Sequence, residues 1–534
     1  MTDAASGTAI VRTNAVLAGV PRSVVVGVGA ALALLFGSLL LRPLSTEDIQ
    51  IVGIPEHPIA SSAVGSIQIR AGTADGVRVL VDGRETPTVQ QQGAHVVRAA
   101  GLPDGPHVLS VVVPRSPSWL GSTTTTRTFT VDSTPPELRV DDSLRPDGPN
   151  KPVTVNGTAH GATQVAVAGK PVPPDPQGGF SAVVDRPDRE VQVVATDAAG
   201  NRTERTMTVH IRHPGMRAVH LTGLAWTSDS LREPILEMAR QGKIDTIELD
   251  IKDESGEVVY DSAVPMAHQI GAVKGYYNAR QVLDQLHGMG VRVVGRLVAF
   301  KDPVLGAASW QGGHPERVVQ TAGGQPWSSG YGAYAFTNFA DPVVVRYNID
   351  IAAEAAALGF DDILYDYVRR PDGHLDQMRI PGLTTTPEAA IADFLRQTQP
   401  EVRSRGALLG ASVFGIAVDR PTEIAQDIRQ ISHFVDYISP MVYPSHWGPG
   451  EFGVGNPNSQ PYDIVVRSLA AFAKTVEGTD VQIIPWLQDF SLGVSYGPGE
   501  VAAQINAARD NGMTSFLLWA PNCRYHDTAL GPTG

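Results

Sequence analysis

The second half of the chain repeats one pattern. From Met216 onward, short apolar runs of the kind found in buried strands alternate with helical segments. One helical segment, 278–290, precedes the third run, and another, 342–359, ends on a glycine, a common helix stop. Alternating strands and helices imply a parallel sheet, and eight strands imply a closed (β/α)8 TIM barrel, here over residues 215–534. The eight strand-like runs are 217–223, 246–252, 292–298, 362–368, 408–414, 437–443, 482–488 and 515–521.

An open, doubly wound α/β sheet is the alternative to a barrel. It is the weaker interpretation because no glycine-rich phosphate loop follows the first run. The chain also stops about thirteen residues after the eighth run, so the last helix of a TIM barrel is expected to be short or absent.

Residues 60–212 show a different sequence pattern, with short Val- and Thr-rich runs in which apolar and polar positions alternate. The runs form two similar sets, and RTFTV at 127–131 recurs as RTMTV at 205–209. We expect two all-β sandwiches, 60–132 and 133–212, joined at STPP and with TDAAGN as a turn in the second. This spacing resembles a pair of bacterial immunoglobulin-like domains. Neither set carries a cluster of ionisable residues, which favours a spacer over a ligand-binding module.

The N-terminal segment 23–41 is uncharged and about long enough to cross a bilayer as a helix. It is interpreted as an uncleaved transmembrane signal anchor, because the small-x-small pattern of a cleaved signal peptide is missing. Residues 1–22 would then be cytoplasmic and 42–59 a linker. The expected protein is a single-pass cell-membrane protein with the bulk of its chain extracytoplasmic.

Charge and cysteine content exclude some classes of function. The formal net charge is −13, which argues against a nucleic-acid partner. The single cysteine, Cys523, excludes an internal disulfide and a cysteine-rich metal site. No metal or cofactor is expected, since His446 has no second histidine at ligand spacing.

In a (β/α)8 barrel, chemistry sits where the strands end. The predicted strand ends combine acids with basic or amide groups and aromatic rings, which is the profile of a carbohydrate site. Sugar C–H faces pack on aromatic rings, and glycoside cleavage needs two carboxylates across the scissile bond. The acids are Asp250, Asp253, Asp366 and Asp489; the predicted substrate-binding residues are Lys252, Arg296, Arg369, Tyr443, His446, Trp447, Trp486, Gln488 and Trp519.

Five motifs in order, ELDIKDESG, GRLVAFKDP, YDYVRRPDG, SPMVYPSHW and PWLQDF, carry a resemblance to a known family. The region from Arg217 onward resembles a glycoside hydrolase family of bacterial envelope TIM barrels, distantly similar to the α-amylase-like clan. In that clan the aspartate ending strand four is the nucleophile, which implies that role for Asp366. The clan's acid ends strand five, where this sequence reads ASVFGIAVD and has no acid before Asp419.

Asp366 lies inside an apolar run, where an unpaired carboxylate is costly. We expect it to be the nucleophile or base, with Asp489 or Asp253 as the acid. Arg296 and Arg369 would orient the carboxylates and keep them ionised by opposite charge. The alternative is a structural aspartate paired with one of these two arginines.

Asp250 alternates with Glu248 and Lys252, so the three are predicted to share one face of their strand. A buried pair of Asp250 with Lys252 and a catalytic Asp250 are both open at this point.

Among the aromatic residues, Trp447 is the best predicted stacking platform, because residues 448–458 after it read as a long exposed loop. Trp486 and Trp519 fall within strands and suit a hydrophobic core at least as well. His446 is expected to hydrogen-bond to sugar.

The predicted function is hydrolysis of glycosidic bonds in an envelope or extracellular polysaccharide or oligosaccharide by a two-carboxylate mechanism. A non-catalytic glycan-binding or scaffold protein of the envelope is the alternative. A deacetylase or a transglycosylase on the same barrel is a third possibility, although the first normally uses a His/Asp metal set that this sequence lacks.

Overall fold

The computed structural model describes residues 49–71, 75–99, 101–115, 119, 121–146, 148, 151–187 and 190–531. The predicted membrane segment 23–41 lies outside these residues. Within the described part of the chain, no helix is both long and apolar enough to span a membrane. The described residues divide into two compact units, one before and one after the boundary between Thr134 and Pro135.

The first unit contains two four-stranded sheets. Their strands alternate buried and exposed side chains, and residues such as Ile69, Val97 and Val111 form a core. One sheet has the order β1-β2-β6-β5 and the other β4-β3-β7-β8. β1 lies in the segment predicted to be a linker, where its three residues were too few to show a period. The strands are β1 Gln50–Val52, β2 Gln68–Arg70, β3 Arg78–Val81, β4 Arg84–Glu85, β5 Thr88–Gln91, β6 Ala94–Val97, β7 Gly105–Pro114 and β8 Ser122–Val131.

The second unit begins with another pair of sheets, ordered β10-β16-β15-β12-β13 and β14-β11-β9. Val155, Val193 and Met207 lie in its core. The TDAAGN segment joins β15 to β16 as predicted, and Thr196 pairs with Arg202 across the turn. The strands are β9 Glu137–Val140, β10 Ser143–Leu144, β11 Val153–His160, β12 Gln164–Val167, β13 Lys170–Val172, β14 Gly179–Val184, β15 Glu190–Thr196 and β16 Arg202–Val209.

The rest of the second unit is an eight-stranded parallel barrel, which fits the predicted TIM barrel. All eight predicted runs form strands. The seventh is in two pieces, because Pro485 lacks the N–H that a continuous ladder needs. The barrel strands are β17 Arg217–Leu221, β18 Thr246–Lys252, β21 Arg292–Val298, β25 Asp362–Asp366, β27 Leu408–Phe414, β28 Tyr437–Met441, β29 Gln482–Ile483 with β30 Trp486–Gln488, and β31 Phe516–Trp519. β17 pairs with both β18 and β31, which closes the ring.

Helices pack outside the barrel, and Gly359 ends the longest predicted one in a left-handed conformation (φ 114°). After β31 the described residues contain only a short 3-10 turn, Asp527–Ala529, in agreement with the expected lack of a last helix. The helices are α1 Gly223–Trp226, α2 Asp229–Arg240, α3 Pro265–Gln269, α4 Ala279–Gly288, α5 Pro303–Gln311, α6 Pro342–Leu358, α7 Pro387–Arg403, α8 Ile428–Ser432, α9 Pro461–Thr475 and α10 Pro498–Asp510.

Short strands in the connecting loops complete the described fold. β19 and β20 extend the sheet beside β18. In the long segment 301–341, β23 and β24 form a small hairpin, and β22 pairs with β26 of the loop after β25. These strands are β19 Val258–Tyr260, β20 Val273–Tyr277, β22 Gln320–Thr321, β23 Ser328–Ser329, β24 Gly332–Ala333 and β26 Met378–Arg379.

Candidate active site

Arg296 is the centre of the polar cluster at the barrel mouth. Its Nε and Nη2 donate to Oδ2 of Asp366 at 3.1 and 2.6 Å, and its Nη1 donates to Oδ1 of Asp250 at 2.8 Å. Nη2 also donates to Glu254. The other oxygen of Asp366 accepts the backbone N–H of Tyr367 at 2.7 Å. One guanidinium therefore binds three carboxylates.

Strand register explains why these residues meet. Asp250 of β18 lies opposite Arg296 of β21, and Asp366 of β25 lies opposite Val298, two residues further along β21. Two residues along a strand return to the same face, so all three side chains reach one side of the sheet. The chain leaves β25 immediately after Asp366, with Tyr367 at a positive φ of 47°.

The cluster carries more negative than positive charge. Burial opposes ionisation of Glu254, but the charge and hydrogen bond of Arg296 outweigh it and lower the pKa of Glu254 to about 2. A purely structural ion pair needs one acid for each arginine. Three acids on Arg296 leave a surplus of negative charge at a site where Asp366 is only 6% exposed.

A histidine and a tryptophan form the neighbouring wall. His220 of β17 pairs through Nε2 with Asp250 at 3.0 Å, and its ring lies 4.4 Å from the ring of Trp519. The guanidinium of Arg296 lies 5.3 Å from the same indole. Trp519 is half-buried, so part of its ring faces the mouth beside the carboxylates.

Glu248 lies deeper in the barrel than the cluster. It is fully buried, and neither of its carboxyl oxygens has a hydrogen-bond partner among the described residues. Burial raises the pKa of Glu248 well above its ordinary value, and the nearby Asp250 and Asp366 add to the effect although Arg296 opposes it. A protonated carboxyl in this position can donate a hydrogen bond.

Asp253 begins the loop after β18. Its Oδ1 accepts the backbone N–H groups of Ser255 and Glu257, at 2.9 and 3.1 Å. Burial raises the pKa of Asp253 to about 6, and the charges of Asp250 and Glu254 contribute in the same direction. A carboxyl group with this pKa can still carry a proton near neutral pH.

The structure separates Lys252 from Asp250. The register of β18 against β21 shifts between these two residues, so Lys252 does not share the face of Asp250 as predicted. Its ammonium instead donates to Asp302 at 2.7 Å and to Asn348 at 2.8 Å. All of these groups are fully buried, so Lys252 has no surface available to substrate.

Arg369 does not contact Asp366, contrary to the prediction. Its guanidinium is fully buried and lies 4.4 Å from the ring of Phe414 and 5.2 Å from that of Phe336. It donates to the carbonyl of Arg370 at 2.8 Å. The guanidinium therefore packs among aromatic rings and pairs with Asp372 at 3.3 Å, and it does not orient the carboxylates that Arg296 binds.

The two polar residues predicted at the end of the seventh strand are both occupied by local contacts. Gln488 is fully buried and bonds the backbone of Ser445 and Phe490. Asp489 accepts from the backbone N–H of His526 at 2.9 Å and lies 2.5 Å from its ring Nδ1. Burial raises the pKa of Asp489, and His526 partly offsets this.

Two predicted stacking residues belong to the core. Trp447 is only 7% exposed, because the following loop folds back and Phe452 packs edge-on at 5.2 Å. The prediction that it presents an exposed platform is wrong. Trp486 is buried inside the barrel, where its indole N–H donates to Ser412 at 3.0 Å.

Tyr443 and His446 lie near the mouth, with their rings 5.3 Å apart. Tyr443 is almost fully buried, and burial raises its pKa well above the ordinary value, with Asp366 and Glu248 contributing. His446 is exposed, although partial desolvation of its ring lowers its pKa. Of the two, His446 is the more accessible to a ligand.

Sequence reasoning missed Glu254 and His220, and it placed Lys301 at the end of the third strand without giving it a role. Glu254 lies within the quoted ELDIKDESG motif, so its position after Asp253 was an available signal. Lys301 packs 4.9 Å from the rings of both Tyr331 and Tyr367, and burial lowers its pKa. Its charge reduces the surplus negative charge around Asp366. Among the described residues, no group of three or more His, Cys, Asp or Glu side chains is arranged to hold a metal.

Comparison with solved structures finds similar chains, and the three described next superpose on this chain with TM-scores below 0.5. A hypothetical protein from Ruminiclostridium thermocellum ATCC 27405 is 33% identical, with 36% of this chain and 96% of that chain covered and a TM-score of 0.33. The glycoside hydrolase domain of PgaB (BpsB) from Bordetella bronchiseptica is 16% identical, with 58% and 95% covered and a TM-score of 0.45. An endo-1,4-beta-D-mannanase from Thermotoga petrophila RKU-1 is 12% identical, with 57% and 88% covered and a TM-score of 0.39.

A search among curated proteins finds no match. One family model matches residues 218–525, from the first barrel strand to the segment that follows the eighth. The match spans more than half of the chain and includes every acid of the cluster around Arg296. The protein therefore belongs to the family described as "Putative glycosyl hydrolase domain".

Proposed function

We propose that the barrel hydrolyses glycosidic bonds in an envelope or extracellular polysaccharide. The observation that carries this proposal is the binding of Asp250, Glu254 and Asp366 by the single guanidinium of Arg296, beside the half-buried Trp519. Glycoside cleavage passes through a transition state with positive charge on the sugar ring. A surplus of fixed carboxylates at the mouth would stabilise that charge, and an indole face suits a sugar ring.

Asp366 is the proposed nucleophile or base. Its place at the end of the fourth barrel strand is that of the nucleophile in the α-amylase-like clan, and Arg296 and the N–H of Tyr367 hold its two oxygens in a fixed orientation. Asp366 and Glu254 both accept from Nη2 of Arg296. Their nearest oxygens are therefore within about two hydrogen-bond lengths, roughly 6 Å.

Asp253 is the proposed proton donor. Its pKa of about 6 suits a general acid, whereas the pKa of Glu254, about 2, leaves that group ionised. Asp489 is less suited to the role because His526 engages both of its oxygens. In this scheme Glu254 and Asp250 supply negative charge and Asp253 supplies the proton.

We also propose that the chain is a single-pass membrane protein anchored by residues 23–41, with two immunoglobulin-like spacers that hold the barrel outside the membrane. The length and lack of charge of that segment support the anchor. The experiment compares the full chain with a chain that begins at residue 49, after fractionation and alkaline extraction of the membranes. The anchor predicts that only the full chain stays in the pellet; release of both would refute it.

The catalytic proposal is tested with a broad panel of polysaccharides, by measuring newly formed reducing ends and, separately, binding to the same glycans. Asp366→Asn should abolish hydrolysis and retain binding, because the amide preserves the shape of the side chain. The matched control is Asp376→Asn, which changes an exposed aspartate in the loop after β25 and should behave as wild type.

The rival function is glycan binding without cleavage. It is favoured if the wild type binds one or more of the glycans and releases no reducing ends from any of them. It is also favoured if Asp366→Asn leaves the rate of hydrolysis unchanged, because any cleavage measured would then arise elsewhere.

A further inference from the structure

A cavity of about 480 Å³, separate from the carboxylate cluster, opens beside Asp489 and His526. It lies beyond the ends of β30 and β31, at the same end of the barrel as Asp366. Its walls include Asp489, Ser491, Asn522, Arg524 and His526. None of these residues has a role in the proposed chemistry, in which Asp253 supplies the proton.

The cavity adjoins the proposed sugar platform. The backbone N–H of Asp489 donates to the carbonyl of Trp519 at 2.8 Å, so a residue of the cavity wall lies directly beside the residue that carries the indole. On its other side the Trp519 indole lies 5.3 Å from the guanidinium of Arg296. A glycan with one residue over Trp519 would therefore place a neighbouring residue at the cavity.

His526 is held in a fixed orientation by a buried acid. Asp489 is only 2% exposed, and its two oxygens engage the ring Nδ1 and the backbone N–H of His526. The side chain of His526 is 40% exposed. Because Nδ1 is occupied by Asp489, Nε2 is the ring atom available to a ligand.

Arg524 and Asn522 supply further donors. Both are exposed, and the Arg524 guanidinium has no hydrogen bond or ion pair within the described residues. The side-chain oxygen of Asn522 accepts the backbone N–H of Arg524 at 3.0 Å, which leaves its amide NH2 group free to donate. A guanidinium fork beside an amide and an imidazole is suited to a planar carboxylate or a phosphate.

We propose that this cavity is a subsite for an acidic substituent, a carboxylate or a phosphate, on a sugar next to the one that is cleaved. This inference rests on the proposed function and names its substrate class, an acidic glycan. The surplus of carboxylates around Arg296 repels an anionic group, whereas the side that carries Arg524 and His526 attracts one. The two sides of the mouth therefore determine which sugar of an acidic glycan lies at the carboxylate cluster and which lies at the cavity.

The test uses three monosaccharides that differ in one substituent: glucose, glucuronic acid and glucose 6-phosphate. Each is titrated into the full-length wild-type chain, and binding is followed by ligand-observed NMR. At least one acidic sugar should bind roughly tenfold more tightly than glucose, since a charge-assisted contact is lost in the neutral sugar. A preference for glucuronic acid identifies a carboxylate subsite, and a preference for glucose 6-phosphate a phosphate subsite.

Arg524→Gln should remove the preference, and His526→Gln should reduce it severalfold. The matched control is Arg509→Gln, at the exposed C-terminal end of α10 on the opposite face of the barrel, which should retain the preference. Equal affinity for all three sugars, no binding of any of them, or a preference that survives Arg524→Gln would overturn the subsite.

The measurement needs no turnover, so it separates this inference from the proposed function. A chain that prefers acidic sugars and cleaves nothing keeps the subsite and loses the hydrolase mechanism. A chain that cleaves a neutral glycan and shows no preference keeps the mechanism and loses the subsite.

Discussion

Arg296 donates two hydrogen bonds to a single oxygen of Asp366, from Nε at 3.1 Å and from Nη2 at 2.6 Å. This contact fixes the orientation of the carboxylate at the barrel mouth. The same guanidinium also binds Asp250 and Glu254, so its removal would leave three carboxylates without their counter-charge.

Arg296→Gln should lower the free energy of unfolding by about 3–5 kcal/mol, the usual cost of breaking a buried ion pair from one side. The loss should be smaller at pH 4 than at pH 8. Arg296 lowers the pKa of Glu254 to about 2, and the stability gained from this shift is complete above the unfolded pKa and declines as pH falls toward the folded one. Urea unfolding at the two pH values measures the loss. Arg396→Gln removes an exposed contact with Asp393 and should cost less than about 1 kcal/mol. Similar losses for the two variants would contradict a central role for Arg296.

The pKa of Asp253 predicts that the pH profile of hydrolysis has an alkaline limb, in which the rate falls as pH rises. A proton donor acts only while protonated, so kcat/KM should fall as pH rises through about 6. Asp253→Asn should lower kcat about 100-fold or more and abolish the limb. Asp284→Asn, which changes an exposed aspartate on α4, should leave the profile unchanged. An alkaline limb that persists in Asp253→Asn would assign the proton to another group.

Glu248 should make stability depend on pH. Burial raises its pKa in the folded chain above the unfolded value, so the folded state binds more protons above pH 4.5. The stabilising contribution is complete below that pH and is lost as pH rises toward the folded pKa. Glu248→Gln, which is neutral at every pH, should flatten this decline in urea unfolding between pH 5 and 9. Parallel curves for wild type and variant would show that Glu248 does not titrate differently in the two states.

The two tryptophans at the mouth and in the core should respond differently to removal. Trp447→Ala should cost about 3–5 kcal/mol of stability because it empties a buried site. Trp519→Ala should cost less stability and raise KM roughly five- to tenfold, through the loss of about 1–1.4 kcal/mol of stacking. Thermal unfolding and steady-state kinetics on one cleaved glycan separate the effects. The interpretation fails if Trp447→Ala is the variant with normal stability and raised KM.

Periodicity was enough to predict the barrel. Each of the eight apolar runs is a strand, because the strands of a parallel barrel are buried on both faces and appear as continuous apolar segments. Asp366 could be assigned to the fourth strand for the same reason, but β25 ends at Asp366, two residues before the predicted run ends at 368. The short β1 could not be found this way, as three residues show no period.

The contacts between strand ends could not be predicted, because they depend on strand register and loop packing, which hydrophobic periodicity does not specify. A shift of register after Asp250 sends Lys252 to Asp302, although alternation predicted a shared face. Loop 448–458 covers Trp447, although its composition indicated exposure. The guanidinium of Arg296 holds Glu254 and Asp366 together, although Glu254 is 42 residues before Arg296 in the sequence and Asp366 is 70 residues after it.

The sequence by itself determined the order of strands and helices, and therefore which acids come to the barrel mouth, because hydrophobic burial acts along each segment. Only the tertiary structure decided which of those acids face one another and which aromatic ring remains open. Those outcomes depend on the register of neighbouring strands and on how loops pack over distant strands. Many arrangements share the same hydrophobic pattern, and hydrogen-bond geometry and close packing select one of them.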